Sequence, residues 1–161
     1  MDYLKMLKHT METLVEVHTR LLDLVREKQH ILVKGDTHDL QNMVHRESLC
    51  VADIQKLESK RNRLVQEFFE QKGIKGPSFT LEEIMKIEDD SGTNTSLKII
   101  AKQLRVLIQE ITHINESNQQ LIHTSLSYVQ YSIGMLVRKE VAIGYGPHAV
   151  NSYSNLLDAK I

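Results

Sequence analysis

Histidine is the residue type in this chain with the widest chemical repertoire, because its ring nitrogens bind transition metals and transfer protons near neutral pH. Two histidines on one helical face need a spacing of three or four residues to hold a metal together, and no two histidines here have that spacing. The eight are His9, His18, His30, His38, His45, His113, His123 and His148. The sequence therefore predicts surface or packed histidines and no metal site.

Two other features could carry chemistry, and neither is typical of a catalytic site. Cys50 lies at an apolar position of its helix, which favours a small buried thiol over a reactive thiolate. The cluster Glu88, Asp89 and Asp90 lacks the alternating oxygen ligands and the distal Glu of a calcium loop. Phosphate-binding glycine loops and nucleophile elbows are absent too. We predict a protein that is not an enzyme and needs no cofactor; a helical-bundle enzyme would require converging carboxylates and histidines.

The charge and hydropathy of the chain restrict its partners. The formal net charge is -1, from 20 basic and 21 acidic residues, so no overall positive field exists to attract nucleic acid. No stretch is apolar over the ~20 residues of a membrane span, and no signal-peptide core follows the N-terminus. A single cysteine agrees with a reducing compartment. We expect a cytoplasmic protein that neither binds nucleic acid nor inserts into a membrane.

The elements that position these residues are long helices with apolar side chains at alternating steps of three and four. The first stripe contains Leu4, Leu7, Met11, Leu14, His18, Leu21, Val25, Lys28 and Leu32, and the second contains Leu40, Met43, Glu47, Cys50, Ile54, Leu57, Arg61, Leu64 and Phe68. Gly35 can end the first helix and Asp36 can cap the second, which predicts an antiparallel hairpin of residues 3–33 and 37–72. His18 is either a packed, hydrogen-bonded core residue or a polar residue that sets the register.

A short helix and a very long one are predicted to follow the hairpin. Thr80 and Glu83 have capping-box spacing, which predicts a helix over residues 80–88, and the turn composition of residues 89–95 predicts a mobile loop. The long helix, over residues 96–142, carries Leu97, Ile100, Leu104, Leu107, Ile111 and Ile114, after which the stripe slips to Asn118, Ile122, Leu126, Val129, Ile133 and Leu136. The predicted fold is all-α: an elongated antiparallel helical hairpin plus a long C-terminal helix, in a coiled-coil-like bundle of three or four helices. Residues 1–143 would form one domain, and residues 144–161 a flexible tail.

The segment between Ser117 and Val137 contains no Asp, Glu, Lys or Arg, although a quarter of the chain is charged. It is either a central helix covered by its own bundle or a surface reserved for a partner protein. Because a helix of this predicted length is longer than the hairpin that would cover it, we favour the partner surface. The candidate partner-binding residues are Ile122, Leu126, Tyr128, Val129, Ile133 and Leu136. A self-associating coiled-coil adaptor would expose the same stripe, and a homodimer is therefore an alternative that the sequence does not exclude.

The residues resemble those of one protein family. The run INESNQQLIHTSL from Ile114 to Leu126, then Met135-Leu136-Val137, Lys139-Glu140 and Tyr145, resembles the C-terminal half of FlgN-type flagellar export chaperones. Leu21-Leu22, Glu27-Lys28 and Gly35-Asp36 resemble the first hairpin of that family, and the ending Leu156 to Lys160 is similar to the tail of its Gram-positive members. The resemblance covers nearly the whole chain, except the short helix around Ile84.

The resemblance implies a function as well as a fold. FlgN-type chaperones bind the hook-associated proteins of the hook-filament junction in the cytosol, keep them unassembled and deliver them to the flagellar type III export gate. The family's cargo contact is attributed to the C-terminal amphipathic helix, which corresponds here to the stripe from Ile122 to Leu136. Tyr145 occupies the position of a trailing family tyrosine and is the candidate contact with the export apparatus.

Overall fold

The computed structural model describes residues 2–143, except for the side chains of residues 139–143. Within this range it has four helices and no strand, and the long helices pack as a bundle, which confirms the predicted all-α class. The helices are α1 (Tyr3–Lys34), α2 (Thr37–Gln71), α3 (Leu81–Ile87) and α4 (Ser91–Ile143). Tyr145 and the predicted tail, residues 144–161, lie outside the described residues.

The turn between α1 and α2 is built from the two residues that the sequence indicated. Gly35 ends α1 with a φ of 74°, and its backbone N–H donates to the carbonyl oxygen of Ile31 at 2.9 Å. The Asp36 carboxylate accepts from the backbone N–H groups of Asp39 and His38, both at 3.1 Å. These hydrogen bonds stabilise the ionised carboxylate and lower the pKa of Asp36. The left-handed conformation of Gly35 and the capping carboxylate of Asp36 together reverse the chain, which makes α1 and α2 antiparallel.

The hydrophobic core consists of two clusters that follow the predicted stripes. The first joins the start of α1 to the end of α2, to α3 and to α4, and contains Leu7, Met11, Leu14, Leu64, Val65, Phe68, Phe69, Ile84, Leu97, Ile100 and Leu104. The second joins the later part of α1 to the early part of α2 and to α4, and contains Val17, Leu21, Leu22, Leu24, Val25, Met43, Cys50 and Ile111. Burial of these side chains drives the folding of residues up to Asn118.

Polar residues of the two stripes are used inside the hairpin. The Lys28 ammonium contacts the Glu47 carboxylate at 3.0 Å, with the two side chains 15% and 18% exposed. His18 is buried and its Nδ1 donates to the carbonyl oxygen of Leu14 at 2.7 Å, so it is a packed, hydrogen-bonded core residue. Cys50 is buried beside the carbonyl oxygen of Val17, and this burial raises the pKa of its thiol. The Lys28–Glu47 ion pair and the contact of Cys50 with Val17 join α1 to α2, whereas the His18 hydrogen bond lies within α1.

Both later helices begin at side-chain caps. At α3 the Thr80 hydroxyl accepts from the Glu83 backbone N–H at 3.3 Å, while the Glu83 carboxylate accepts from the Thr80 backbone N–H at 2.6 Å. At α4 the Asp90 carboxylate accepts from the Gly92 backbone N–H at 3.0 Å and from the Thr93 hydroxyl. The predicted loop was therefore wrong from Ser91 to Thr95, because these residues belong to the start of α4. The cause is the Asp90 cap, which offsets the weak helix propensity of this Gly- and Thr-rich run.

The chain divides into two units, and the boundary falls inside α4, after Asn118. The predicted single bundle domain over residues 1–143 thus stays a prediction. None of the helices in the described part of the chain is long and apolar enough to cross a membrane.

Candidate partner-binding surface

Asn118 marks the point along α4 at which burial ends. Its side chain is 1% exposed, and Nδ2 donates to the carbonyl oxygen of Val25 at 3.0 Å. One residue earlier, the Ser117 hydroxyl accepts from the Gln29 side-chain amide at 3.1 Å. These two hydrogen bonds attach α4 to α1. From Gln119 to Arg138, the last residue whose side chain is described, no residue is buried.

Five aliphatic side chains form an exposed apolar stripe in this part of α4, and we call them the open face. They are Ile122 (41% exposed), Leu126 (53%), Val129 (50%), Ile133 (38%) and Leu136 (64%). Their alternating steps of four and three keep them within a narrow sector of the helix, and they extend about 21 Å along its axis at ~1.5 Å per residue. The open face is thus a continuous strip three to four helical turns long.

A second group of exposed side chains lies on another side of the same turns. Tyr128 is 72% exposed, Tyr131 67% and Met135 51%. At ~100° per residue, Tyr128 lies about 120° from the centre of the open face. Five of the six predicted partner-binding residues therefore share one face and Tyr128 does not. Tyr131 and Met135 were missing from the predicted set, although their spacing of three and seven residues from Tyr128 groups them with it.

The chemistry available on this segment is that of contact. Asp, Glu, Lys and Arg are absent from residues 117–137, and Tyr128, Tyr131 and Met135 are of the types enriched in the cores of protein interfaces. Among the described residues no cluster of His, Cys, Asp or Glu could hold a metal ion. The segment therefore suits the burial of apolar surface against another polypeptide.

The FlgN protein family model matches residues 1–152, nearly the entire chain, including α1 to α4 and the exposed segment. The chain belongs to the FlgN family. A protein of Bacillus subtilis (strain 168), described as the uncharacterized protein YvyG, is similar to the FlgN-family chain, with 27% identity over 136 residues. That match covers 84% of this chain and 81% of the relative. No solved structure matches the chain.

Membership in this family supports a flagellar chaperone rather than an enzyme. A chaperone function fits the geometry of this chain. The polar groups of α1 and α2 stabilise the hairpin, and the unburied part of α4 carries apolar residues. Tyr145, the predicted contact with the export apparatus, lies beyond the described residues. The open face is accordingly the candidate functional site.

Proposed function

We propose that this chain is a cytosolic chaperone of flagellar type III export, which binds hook-associated proteins of the hook-filament junction through the open face. The observation that carries the proposal is the exposure of five aliphatic side chains, from Ile122 to Leu136, in a segment without Asp, Glu, Lys or Arg. A soluble monomer rarely leaves such a continuous apolar strip in water without a partner. Family membership supports a flagellar protein as the partner.

The open face acts by occupying a helical segment of the cargo that would otherwise pair with another subunit. An amphipathic helix binds such a segment through apolar contacts repeated every three or four residues. Burying a fully exposed Leu or Ile is worth about 1.5–3 kcal/mol, so five roughly half-exposed side chains supply on the order of 5 kcal/mol. Association itself costs about 4–15 kcal/mol, so the cargo must add further contacts for a complex to form. Because this cost offsets most of the binding energy of the open face, the complex stays weak enough for release.

Delivery to the export gate requires a second contact, which we assign to Tyr145. The assignment rests on the position of this residue in the family resemblance, after the end of α4. A Tyr145→Ala variant is expected to capture cargo normally and to lose binding to the gate.

The open face is tested by placing a carboxylate in it. Ile122→Asp or Val129→Asp should reduce capture of junction protein in a pull-down at least about tenfold, because an apolar partner surface would have to desolvate the new charge. Both side chains are exposed in the free chain, so its circular dichroism and melting temperature should barely change. Val44→Asp is the matched control, since Val44 of α2 is 46% exposed and Val129 is 50% exposed.

Two results would contradict the cargo surface. Unfolding of the Ile122→Asp and Val129→Asp variants would mean that the open face belongs to the core of the folded protein. Equal capture by these variants and by Val44→Asp would mean that cargo binds elsewhere. Pull-downs against each junction and filament protein then identify the preferred cargo.

The alternative function is a self-associating coiled-coil adaptor, and the same exposed stripe favours it. Light scattering separates the two functions. A chaperone should be monomeric, or form a homodimer that junction protein dissociates. A permanent dimer or tetramer that persists in excess junction protein would support the adaptor.

A further inference from the structure

A groove between α3 and α4 has a composition unlike that of the open face. Its volume is about 630 Å³, and it lies within the unit that ends at Asn118. We call it the basic groove, and its lining residues are Leu81, Glu82, Met85, Lys86, Lys98, Ala101, Lys102 and Arg105. Leu81, Met85 and Ala101 provide apolar surface, while the charged residues surround it.

The charges around the basic groove are strongly unbalanced for a chain whose formal net charge is -1. Four cationic side chains line it, against the single carboxylate of Glu82. None of the four forms an ion pair with a carboxylate in the part of the chain that the structure describes. Lys98, Lys102 and Arg105 follow one another at steps of four and three and therefore share one side of α4. These three cations of α4 thus present positive charge along a line.

The apolar surface continues beyond the groove along α4. A neighbouring depression of about 340 Å³ shares Leu81, Ala101 and Arg105 with it and extends to Ile108, whose side chain is 48% exposed. Its acidic residue, Glu58, is already paired with Arg61 at 2.8 Å. From Lys98 to Ile108 the combined surface extends about 15 Å at ~1.5 Å per residue. That length accommodates two to three turns of a bound helix.

We propose that the basic groove docks an acidic amphipathic helix of a partner protein. Leucine-type side chains of that helix would enter the surface formed by Leu81, Met85 and Ala101, and its carboxylates would pair with Lys98, Lys102 and Arg105. A nucleic-acid backbone would satisfy the cations but leave the apolar surface exposed, so a peptide is the better fit. The site is separate from the open face and does not depend on the proposed cargo function.

The walls of the groove are fixed before any partner arrives. Ile84 is 0% exposed and anchors α3 in the first core cluster, and the Thr80–Glu83 capping box fixes the first turn of α3. On the other wall, Leu97 and Ile100 anchor α4 in the same cluster. A preformed site loses little conformational entropy on binding, which favours a specific site over incidental contact between charges.

The proposal is tested with a designed probe, a fluorescein-labelled peptide of 15 residues with Leu at helical spacings and Glu at the other positions. Fluorescence anisotropy should show binding to the full chain that weakens as salt increases, and a peptide with Lys in place of Glu should not bind. Lys98→Glu combined with Lys102→Glu should weaken binding at least about tenfold, since two attractive contacts become repulsive. Lys56→Glu combined with Lys60→Glu is the matched control, because these two α2 lysines are exposed and also four residues apart.

Three outcomes would overturn the proposal. The first is that the acidic peptide fails to bind the wild-type chain. The second is that the control double variant weakens peptide binding as much as Lys98→Glu/Lys102→Glu does. The third is that the wild-type chain and the control variant bind phosphatidylglycerol vesicles, whereas the Lys98→Glu/Lys102→Glu variant does not. The last outcome would make the groove a site for an anionic lipid surface. Circular dichroism verifies that both double variants fold. Capture of junction protein should be unchanged in both, so loss of peptide binding is distinguishable from failure of the open face.

Discussion

The two parts of α4, before and after Asn118, have apolar residues at the same helical spacings but differ in exposure. In the first part, Leu97 is 0% exposed and Ile100 is 6% exposed, and both belong to the first core cluster. In the second part, Leu126 and Val129 are 53% and 50% exposed. Spacing alone therefore predicts the helix in both parts and does not predict which part is covered.

The distribution of charge does distinguish the two parts. The first part carries its charged residues away from the core positions, and these residues are Lys98, Lys102, Arg105, Glu110 and Glu116. The second part has no charged residue before Arg138, so no side of it has the charged character of a solvent face. A helix whose apolar stripe is exposed and whose other sides are uncharged is suited to a partner. The buried part holds the molecule together, and the exposed part is the proposed binding surface.

The largest expected effect comes from truncating the same residue type in each part. Leu97→Ala should lower the free energy of unfolding by about 2–5 kcal/mol, because it removes buried methyl groups and leaves a cavity in the first core cluster. Leu126→Ala should change it by less than about 0.5 kcal/mol, since that side chain is already half in water. Urea unfolding followed by circular dichroism measures both.

Equal destabilisation by the two substitutions would contradict the comparison, because it would mean that Leu126 is buried in the folded chain. Leu126→Ala should instead weaken capture of junction protein. The pair thus separates a residue that stabilises the fold from a residue that binds cargo.

A smaller effect is expected at the boundary itself. Asn118→Asp should destabilise the chain by about 2–3 kcal/mol, because a buried carboxylate would replace the donor that bonds to the carbonyl oxygen of Val25. Asn118→Leu should stay within about 1 kcal/mol of the wild-type stability, since it also removes Oδ1, which has no hydrogen-bond partner among the described residues. Urea unfolding compares the three proteins.

If the Asn118 amide stabilises the end of the buried part of α4, Asn118→Asp must be less stable than Asn118→Leu. Equal stability of Asn118→Asp and wild type would show that the bond to Val25 is not formed in solution. A marked gain in stability with Leu would instead show that the amide is retained at a cost, as a polar residue that fixes the register of α4 against α1.

The sequence predicted most of the fold because helix-forming signals in this chain are local. Gly35, Asp36 and the Thr80–Glu83 capping box end or begin helices through contacts within a few residues, and heptad spacing identified core residues such as Leu14 and Leu64. The early start of α4 was missed because the composition of residues 91–95 favours turns, whereas a single side chain, Asp90, caps the helix. The pattern of charges left the segment after Ser117 either covered by its own bundle or exposed to a partner, and only the predicted length of the helix favoured exposure.

One feature of the surfaces was predictable from residue spacing but was overlooked, and another could not be predicted from spacing. Treating the exposed segment as one site grouped Tyr128 with the aliphatic stripe, although helix geometry places Tyr128 on another side with Tyr131. The basic groove depends on how α3 packs beside α4, and no local signal specifies that packing although only residues 88–90 separate the two helices. Packing between helices therefore determines which surfaces exist, while local spacing determines which helices carry them.

The smallest expected effect concerns the start of the buried part of α4, where Asp90 accepts hydrogen bonds from the Thr93 hydroxyl and the Gly92 backbone N–H. These bonds stabilise the ionised carboxylate and lower the pKa of Asp90 in the folded chain. A lowered pKa means that the ionised cap stabilises the helix above the unfolded pKa of about 3.9 and that this contribution is lost as the pH falls through the folded value. In acid, the backbone amides of Gly92 and Asn94 should therefore exchange hydrogen faster than the intrinsic pH dependence of exchange predicts, because the first turn of α4 frays. The amides of Leu97 and Ile100 should stay protected by the core. Asp90→Asn keeps a capping side chain without its titration, and identical acid fraying in that variant would rule out Asp90 as the cause.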